Sequence, residues 1–202
     1  MTKIKLCGLS CPCEIEWANE LRPDFVGFVF APRSKRFVSP EQAVELKALL
    51  LPQIKAVGVF VDEKHEHVAR LLNDGVIDLA QLHGYEDEQY IASLQELTDK
   101  PVIQAFRVKT AADLARAQNS TANYVLLDSG AGTGTAFDWS LINDINREYL
   151  LAGGLASDNV SEAVRTLYPW GVDVSSGIET EGHKDKVKMA AFVAAVRKED
   201  AQ

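Results

Sequence analysis

The apolar run VGFVF at residues 26–30 has the length and composition of a buried β-strand. A near copy, VGVFV at residues 57–61, follows a segment that begins with the helix-start signal Ser39-Pro40-Glu41-Gln42. In that signal, serine occupies the cap, proline the first helical position, and glutamine the third position of a capping box. Two similar strands separated by a helix are the repeating unit of a parallel sheet.

The same strand–helix unit recurs along the whole chain. We predict strands at residues 3–7, 25–30, 56–61, 79–83, 102–106, 124–128, 149–152 and 172–174, with helices between them. Thr110 and Asp158 are predicted to cap two of those helices. Eight units in 202 residues leave 202/8, or about 25 residues per unit, which is the size of a compact βα repeat.

Eight such units favour a closed (β/α)8 barrel, the TIM barrel, over an open doubly wound sheet. An open sheet would have roughly five to seven strands and a glycine-rich turn after the first strand, where this chain has only Gly8. No linker or low-complexity segment interrupts the pattern. The sequence therefore predicts a single α/β domain that spans residues 1–202.

The composition limits the classes of partner. With 21 Lys+Arg against 29 Asp+Glu, the net charge is −8, and no basic cluster is present, which argues against nucleic acid or an anionic membrane. Hydrophobic residues make up 47% of the chain, as in ordinary globular proteins. The three cysteines, Cys7, Cys11 and Cys13, do not form a disulfide framework, and no signal or membrane segment is recognisable. We therefore expect a reduced, cytoplasmic protein of undetermined oligomeric state.

Residues that carry chemistry collect where the predicted strands end. In a (β/α)8 barrel, the functional site lies at the carboxyl ends of the strands and in the loops that follow them. These positions hold Cys7, Gly8, Arg33, Arg36, Asp62, Gln81, His83, Asp128, Gly153, Gly154, Ser175, Ser176 and Gly177. His83 shares the alternation of Gln81, which predicts a position at the barrel mouth, as a donor to substrate or as an orienting residue.

The loops after the last two strands have the composition of a phosphate site. Glycine lets backbone N–H groups approach an anion closely, and serine hydroxyls add further donors. Either loop alone is equally well explained as a tight turn. Because both follow strands seven and eight, where such barrels commonly bind phosphate, we predict that a phosphate group is bound by Gly153, Gly154, Ser175, Ser176 and Gly177.

Eight local sequences, in order from residue 3 to about residue 192, resemble the phosphoribosylanthranilate isomerase family. They are KLCGL at 5–9, VGFVF at 26–30 with SKR at 34–36, VGVFV at 57–61, QLHG at 81–84, LLD at 126–128, FDW at 137–139, AGGL at 152–155 with Asn159 and Val160, and DVSSGIE at 173–179. The resemblance implies a (β/α)8 barrel that converts N-(5-phosphoribosyl)anthranilate to 1-(2-carboxyphenylamino)-1-deoxyribulose 5-phosphate in tryptophan biosynthesis. The ligand is then a small phosphorylated aromatic compound, and this Amadori rearrangement uses neither metal nor organic cofactor.

The resemblance also implies roles for three residues. Cys7 corresponds to the general base that removes the proton from sugar C2, and Asp128 to the general acid that protonates the furanose ring oxygen. Arg36 corresponds to the group that binds the anthranilate carboxylate, for which a planar guanidinium is suited. This chemistry needs Cys7 as thiolate and Asp128 as neutral acid together, so we expect a lowered pKa for Cys7 and a raised pKa for Asp128.

Further expectations concern the interior, the loops and metal binding. Lys5 shares a strand face with Cys7, and the first and last strands of a closed barrel are neighbours, so Lys5 is expected to pair with Asp173. In the loop after strand six, glycines predict a mobile cover over Asp128; they are Gly130, Gly132 and Gly134. The three cysteines lack the spacing and the fourth ligand of a zinc site, so no metal is expected.

Two alternatives stay open from the sequence. One is another phosphate-binding barrel, such as an indoleglycerol-phosphate synthase or a sugar-phosphate epimerase. The synthase is expected to carry lysine and glutamate at strand ends where this chain has Cys7 and Asp128. The other is a catalytically inactive barrel that senses phosphorylated metabolites, which a turnover assay would distinguish from an enzyme.

Overall fold

The computed structural model describes residues 1–128, 142 and 145–201 and shows a closed barrel of eight parallel strands. The strands are β1 (Lys3–Cys7), β2 (Phe25–Val29), β3 (Lys55–Phe60), β4 (Leu79–Leu82), β5 (Val102–Arg107), β6 (Tyr124–Asp128), β7 (Tyr149–Ala152) and β8 (Gly171–Val174). Each strand pairs with the next, and β8 pairs with β1, so the predicted (β/α)8 barrel is confirmed. The predicted strand ends differ from the observed ones by one residue at most.

Helices cover the outside of the barrel. Those in the described part of the chain are α1 (Pro12–Leu21), α2 (Pro40–Ala48), α3 (His65–Asn73), α4 (Glu88–Gln95), α5 (Ala111–Asn119), α6 (Val160–Leu167) and α7 (Lys186–Asp200). Ser39 and Gln42 form the predicted capping box of α2, and Thr110 caps α5 as predicted. The prediction of Asp158 as the cap of α6 is wrong, because Asn159 precedes that helix.

The segment between β6 and β7 falls mostly outside the described residues. It contains Gly130, Gly132 and Gly134, which predicted a cover over Asp128, and the sequence FDW at residues 137–139. The expected cover over Asp128 therefore stays a prediction.

Among the described residues, an inner cluster of mostly strand side chains fills the interior of the barrel. Its seven buried members come from six neighbouring strands, and they are Phe25, Val57, Leu79, Ile103, Leu126, Leu150 and Ala152. At the amino end of the barrel, Trp170 stacks on Tyr124 with 4.8 Å between the ring centroids. Both rings pack against the inner cluster from that end.

A short hairpin follows β8 and was not expected from the sequence. Ser176–Ile178 form a single turn of 3-10 helix, after which β9 (Glu179–Thr180) pairs antiparallel with β10 (His183–Lys184). Strands of two residues contain no periodicity, so sequence alternation does not reveal them. Among the described residues, no helix is both long enough and apolar enough to cross a membrane.

Candidate active site

All the residues predicted to form the site lie at the carboxyl end of the barrel. Cys7 is the last residue of β1 and Asp128 the last residue of β6, while His83 directly follows β4. Parallel strands bring these ends to a single rim. Strand alternation directs Cys7 inward with Lys5, and Asp128 inward with the interior residue Leu126.

Cys7 lies above a buried ion pair. Lys5 is fully buried, and its Nζ lies 2.9 Å from Asp173 Oδ1 on the neighbouring strand, which confirms the expected pair. Burial raises the pKa of the Cys7 thiol, and the nearby ammonium groups of Lys5 and Lys184 offset this effect only in part. The expectation of a lowered pKa for Cys7 is therefore wrong, because the thiolate loses more hydration than the two cations replace.

Asp128 lies beside an oriented histidine. Its Oδ2 is 3.6 Å from Nε2 of His83, while Nδ1 of that ring is 3.1 Å from the side-chain amide nitrogen of the buried Gln81. This contact orients the imidazole so that its other nitrogen, Nε2, faces Asp128. The predicted place of His83 at the barrel mouth is thus confirmed, and Gln81 orients its ring. The raised pKa expected for Asp128 stays a prediction.

Arg36 lies in the loop between β2 and α2 with its guanidinium held by a residue that sequence reasoning did not assign. Nε is 2.5 Å from Glu179 Oε1, and Nη2 is 2.8 Å from Oε2, which is a bidentate ion pair. The neighbouring Arg33 is exposed, as expected of a solvated charge. Arg36 therefore connects β9 to the loop that follows β2.

Glu179 is surrounded by cations. Its side chain is only 6% exposed, and Lys184 Nζ donates to Oε1 at 2.7 Å, while Lys35 Nζ lies 3.5 Å from Oε2. Burial alone would raise the pKa of Glu179, but hydrogen bonds from Arg36 and Lys184 lower it to about 2. Glu179 is therefore ionised at any physiological pH.

The two glycine and serine loops lie directly against each other. Gly153 and Gly154 have φ angles of +92° and +64°, a conformation that side chains disfavour. A Cβ on Gly177 would collide with the backbone carbonyl of Leu155, so the loop after β8 packs on the loop after β7. The structure thus brings together the residues predicted to bind phosphate.

Side chains on both sides brace these loops. Asn159 Oδ1 accepts from the Ala156 N–H, and Asn159 Nδ2 donates to Gly154 O, both at 2.9 Å. These bonds connect Asn159, the residue before α6, to the loop after β7. Ser175 Oγ donates to Cys7 O at 3.1 Å, which connects the loop after β8 to the end of β1.

A cleft opens at the rim beside Asp128 and His83. It has a volume of about 600 Å³, and its wall includes His83, Asp128, Phe106 and Arg107. Arg107 ends β5 and pairs in register with Asp128, and sequence reasoning missed it. The alternation of Ile103 and Ala105 along β5 was the signal that would have placed Arg107 at the mouth.

Sequence reasoning also missed Glu179 and Lys184. Glu179 stands within the motif DVSSGIE, so its position was visible, but its partners come from the hairpin and from the loop after β2. Within residues 1–128, 142 and 145–201, no group of three or more His, Cys, Asp or Glu side chains is arranged to hold a metal ion.

Comparison with known proteins identifies the family. Residues 4–195 match the family model described as N-(5'-phosphoribosyl)anthranilate (PRA) isomerase. The chain belongs to the phosphoribosylanthranilate isomerase family. A curated member from Thermoanaerobacter sp. (strain X514) is 43% identical over 204 residues, with 98% of each chain covered.

Solved structures of phosphoribosylanthranilate isomerases share the fold. The enzyme from Thermotoga maritima is 36% identical with a TM-score of 0.90, covering 98% of this chain and 100% of its own. A second structure, in complex with reduced 1-(o-carboxyphenylamino)-1-deoxyribulose 5-phosphate, has a TM-score of 0.88 at 36% identity and the same coverage. The family assignment decides against the synthase and the epimerase, and it confirms the resemblance found in the sequence.

Proposed function

We propose that the protein isomerises N-(5-phosphoribosyl)anthranilate to 1-(2-carboxyphenylamino)-1-deoxyribulose 5-phosphate, with Cys7 and Asp128 as catalytic residues. The observation that carries this proposal is the rim itself. Cys7 places a thiol at the end of β1, and Asp128 places a carboxyl group at the end of β6. The same rim carries the cationic Arg36 and the glycine and serine loops after β7 and β8. Membership in the isomerase family supports it.

In the first step, Asp128 protonates the furanose ring oxygen. The C1–O bond breaks while the lone pair of the anthranilate nitrogen forms the C1=N bond of a Schiff base. Nε2 of His83 faces Asp128 at 3.6 Å, so we propose that an N–H on this atom stabilises the carboxylate that the proton transfer leaves behind. Gln81, whose amide holds the other ring nitrogen, keeps the imidazole in that orientation.

In the second step, Cys7 removes the proton from C2 as its thiolate. The C–H electron pair forms the C1=C2 bond, and the electrons of the C=N bond return to nitrogen. The enolamine then tautomerises to the ketone of the product. Lys5 and Lys184 favour the thiolate electrostatically, against the burial that raises the pKa of Cys7.

The two ends of the substrate carry the anions that hold it. The phosphate is proposed to bind backbone N–H groups and hydroxyls of Gly153, Gly154, Ser175, Ser176 and Gly177, which lie in loops that touch each other. The carboxylate of the anthranilate ring is proposed to bind Arg36. Binding at both ends orients C2 toward Cys7 and the ring oxygen toward Asp128.

Turnover of freshly formed substrate, followed by the loss of anthranilate-type fluorescence, tests the proposal. Cys7→Ala and Asp128→Asn are each expected to lower kcat by about 10²-fold to 10⁴-fold, the usual contribution of a positioned acid or base. Cys13→Ser is the matched control, since it removes an exposed thiol in α1. Tight ligand binding by the unaltered protein without turnover would show a sensor and overturn the proposed activity.

We also propose a cytoplasmic location and a reduced state. Three free cysteines, of which Cys7 must stay a thiol for catalysis, support it. Cell fractionation followed by thiol labelling tests this location, and recovery in an oxidising compartment would contradict it.

A further inference from the structure

We infer that Glu179 is a positioning residue, which holds Arg36 so that one edge of the guanidinium faces the carboxylate of the substrate. The inference rests on the proposed function, because it takes Arg36 as the residue that binds that carboxylate. It adds a residue that does not itself touch the substrate but decides where the carboxylate binds.

Glu179 occupies one edge of the guanidinium and leaves another. A guanidinium has five N–H groups in a planar fork, and the carboxylate of Glu179 takes one from Nε and one from Nη2. The Nη1–Nη2 edge has the same spacing of parallel N–H groups, so it can bind a second carboxylate in the same plane. Arg36 can therefore bind Glu179 and a substrate carboxylate together.

The stem of Arg36 lies across the end of β1. A Cβ on Gly8 would collide with Cδ of Arg36, so glycine at this position makes room for the side chain beside Cys7. A long arginine side chain in an open loop would otherwise sample many rotamers, and fixing it has an entropic cost. The bidentate pair with a nearly buried carboxylate fixes it before substrate arrives.

The position of Glu179 is itself set by the hairpin after β8. Glu179 and Lys184 are paired in register between β9 and β10, and Lys184 Nζ donates to Glu179 Oε1 at 2.7 Å. The same ammonium donates to the carbonyl oxygen of Ser175 at 2.9 Å. Through Lys184, Glu179 thus connects Arg36, which is proposed to bind the substrate carboxylate, to the loop after β8, which is proposed to bind phosphate.

The charge balance favours a second anion. One carboxylate, Glu179, lies within ion-pair distance of Arg36, Lys184 and Lys35. Three cations around one anion leave a local excess of positive charge although the whole chain carries −8. A substrate carboxylate on the open edge of Arg36 reduces this excess.

The test compares two ligands and two variants. The ligands are reduced 1-(o-carboxyphenylamino)-1-deoxyribulose 5-phosphate and the same compound without the carboxyl group, and Kd is measured by calorimetry. For Glu179→Gln we expect the Kd of the carboxylated ligand to rise about tenfold to a hundredfold, the range for loss of a hydrogen bond to a charged group. The Kd of the ligand without the carboxyl group should change less than about twofold.

Controls separate positioning from general damage. Glu181→Gln removes one negative charge from the exposed turn of the same hairpin, and it should change neither Kd. In an Arg36→Ala background, Glu179→Gln should cause no further loss, because the residue it positions is gone. In turnover, Glu179→Gln should raise KM with little change in kcat, since the carboxylate is held equally in substrate and transition state.

The outcomes distinguish the two levels of proposal. If Arg36→Ala weakens only the carboxylated ligand and Glu179→Gln weakens neither ligand or both equally, the positioning role is wrong and the proposed function stands. If Arg36→Ala leaves discrimination between the ligands intact, the role of Arg36 fails and the inference with it. Should Glu179→Gln not fold, Glu179→Asp keeps the charge on a shorter side chain, and an unchanged Kd for the carboxylated ligand would then overturn the inference.

Discussion

Replacement of Lys5 by methionine tests the buried ion pair beneath the site. The Lys5 side chain is 0% exposed and that of Asp173 10% exposed, with 2.9 Å between Nζ and Oδ1. Methionine keeps most of the length and the apolar stem of lysine but removes the ammonium group. Asp173 would then remain inside the barrel without its cation.

The expected cost follows from that burial. Removing one partner of a buried pair costs about 3–5 kcal/mol, because the remaining charge is not compensated. For a chain of this size each kcal/mol lowers Tm by about 2–4 °C, so Lys5→Met should lower Tm by roughly 6–20 °C. Urea unfolding and thermal melts followed by circular dichroism at pH 7 measure both quantities.

The effect should be constant over the neutral range of pH. Burial alone lowers the pKa of Lys5, but Asp173 and Cys7 raise it, and the net shift is upward from 10.5. A lysine with a raised pKa contributes stability that is fully present below its unfolded pKa and is lost as pH rises through its folded pKa. The difference between the two proteins should therefore shrink only above about pH 10.5.

Lys3→Met is the matched control on the same strand. Lys3 also pairs with an aspartate, Asp24, at 2.8 Å, but its side chain is 42% exposed. An exposed pair contributes about 0–1 kcal/mol, so this variant should melt close to the wild type. A Lys5→Met protein no less stable than Lys3→Met would refute the reasoning from burial.

Three more predictions concern thiol reactivity, phosphate binding and acid stability. In a Cys11→Ser/Cys13→Ser background, Cys7 should react with iodoacetamide near neutral pH more slowly than a model thiol, because burial raises its pKa; a rate equal to or above the model thiol would contradict this. Gly154→Asp should raise the KM for substrate and the inhibition constant of inorganic phosphate by about tenfold or more, because the added carboxylate repels phosphate at the proposed site. If both constants are unchanged, phosphate binds at another loop. The lowered pKa of Glu179, about 2 against 4.5, corresponds to about 3 kcal/mol of stability that is present above pH 4.5 and lost as pH falls toward 2. The unfolding free energies of wild type and Glu179→Gln should therefore converge in acid, and a gap independent of pH would argue against that pair.

The sequence determined the fold and the buried ion pair beneath the site. Apolar runs of strand length, a capping box at Ser39 and eight repeating units placed every strand end within one residue. The pair of Lys5 with Asp173 was also predictable, since strand alternation and closure of the barrel specify both neighbours. These features follow from local periodicity and one topological rule, which a single sequence contains.

The tertiary structure alone decided what the charged groups at the rim do. Arg36 binds Glu179 across 143 positions of sequence, through a hairpin whose strands of two residues have no periodic pattern. The direction of the pKa shift of Cys7 likewise depends on how much water the folded rim removes, set against the distances to Lys5 and Lys184. Hydration and distance between charges are properties of the assembled barrel and depend on many residues at once, so no local pattern in the chain specifies them.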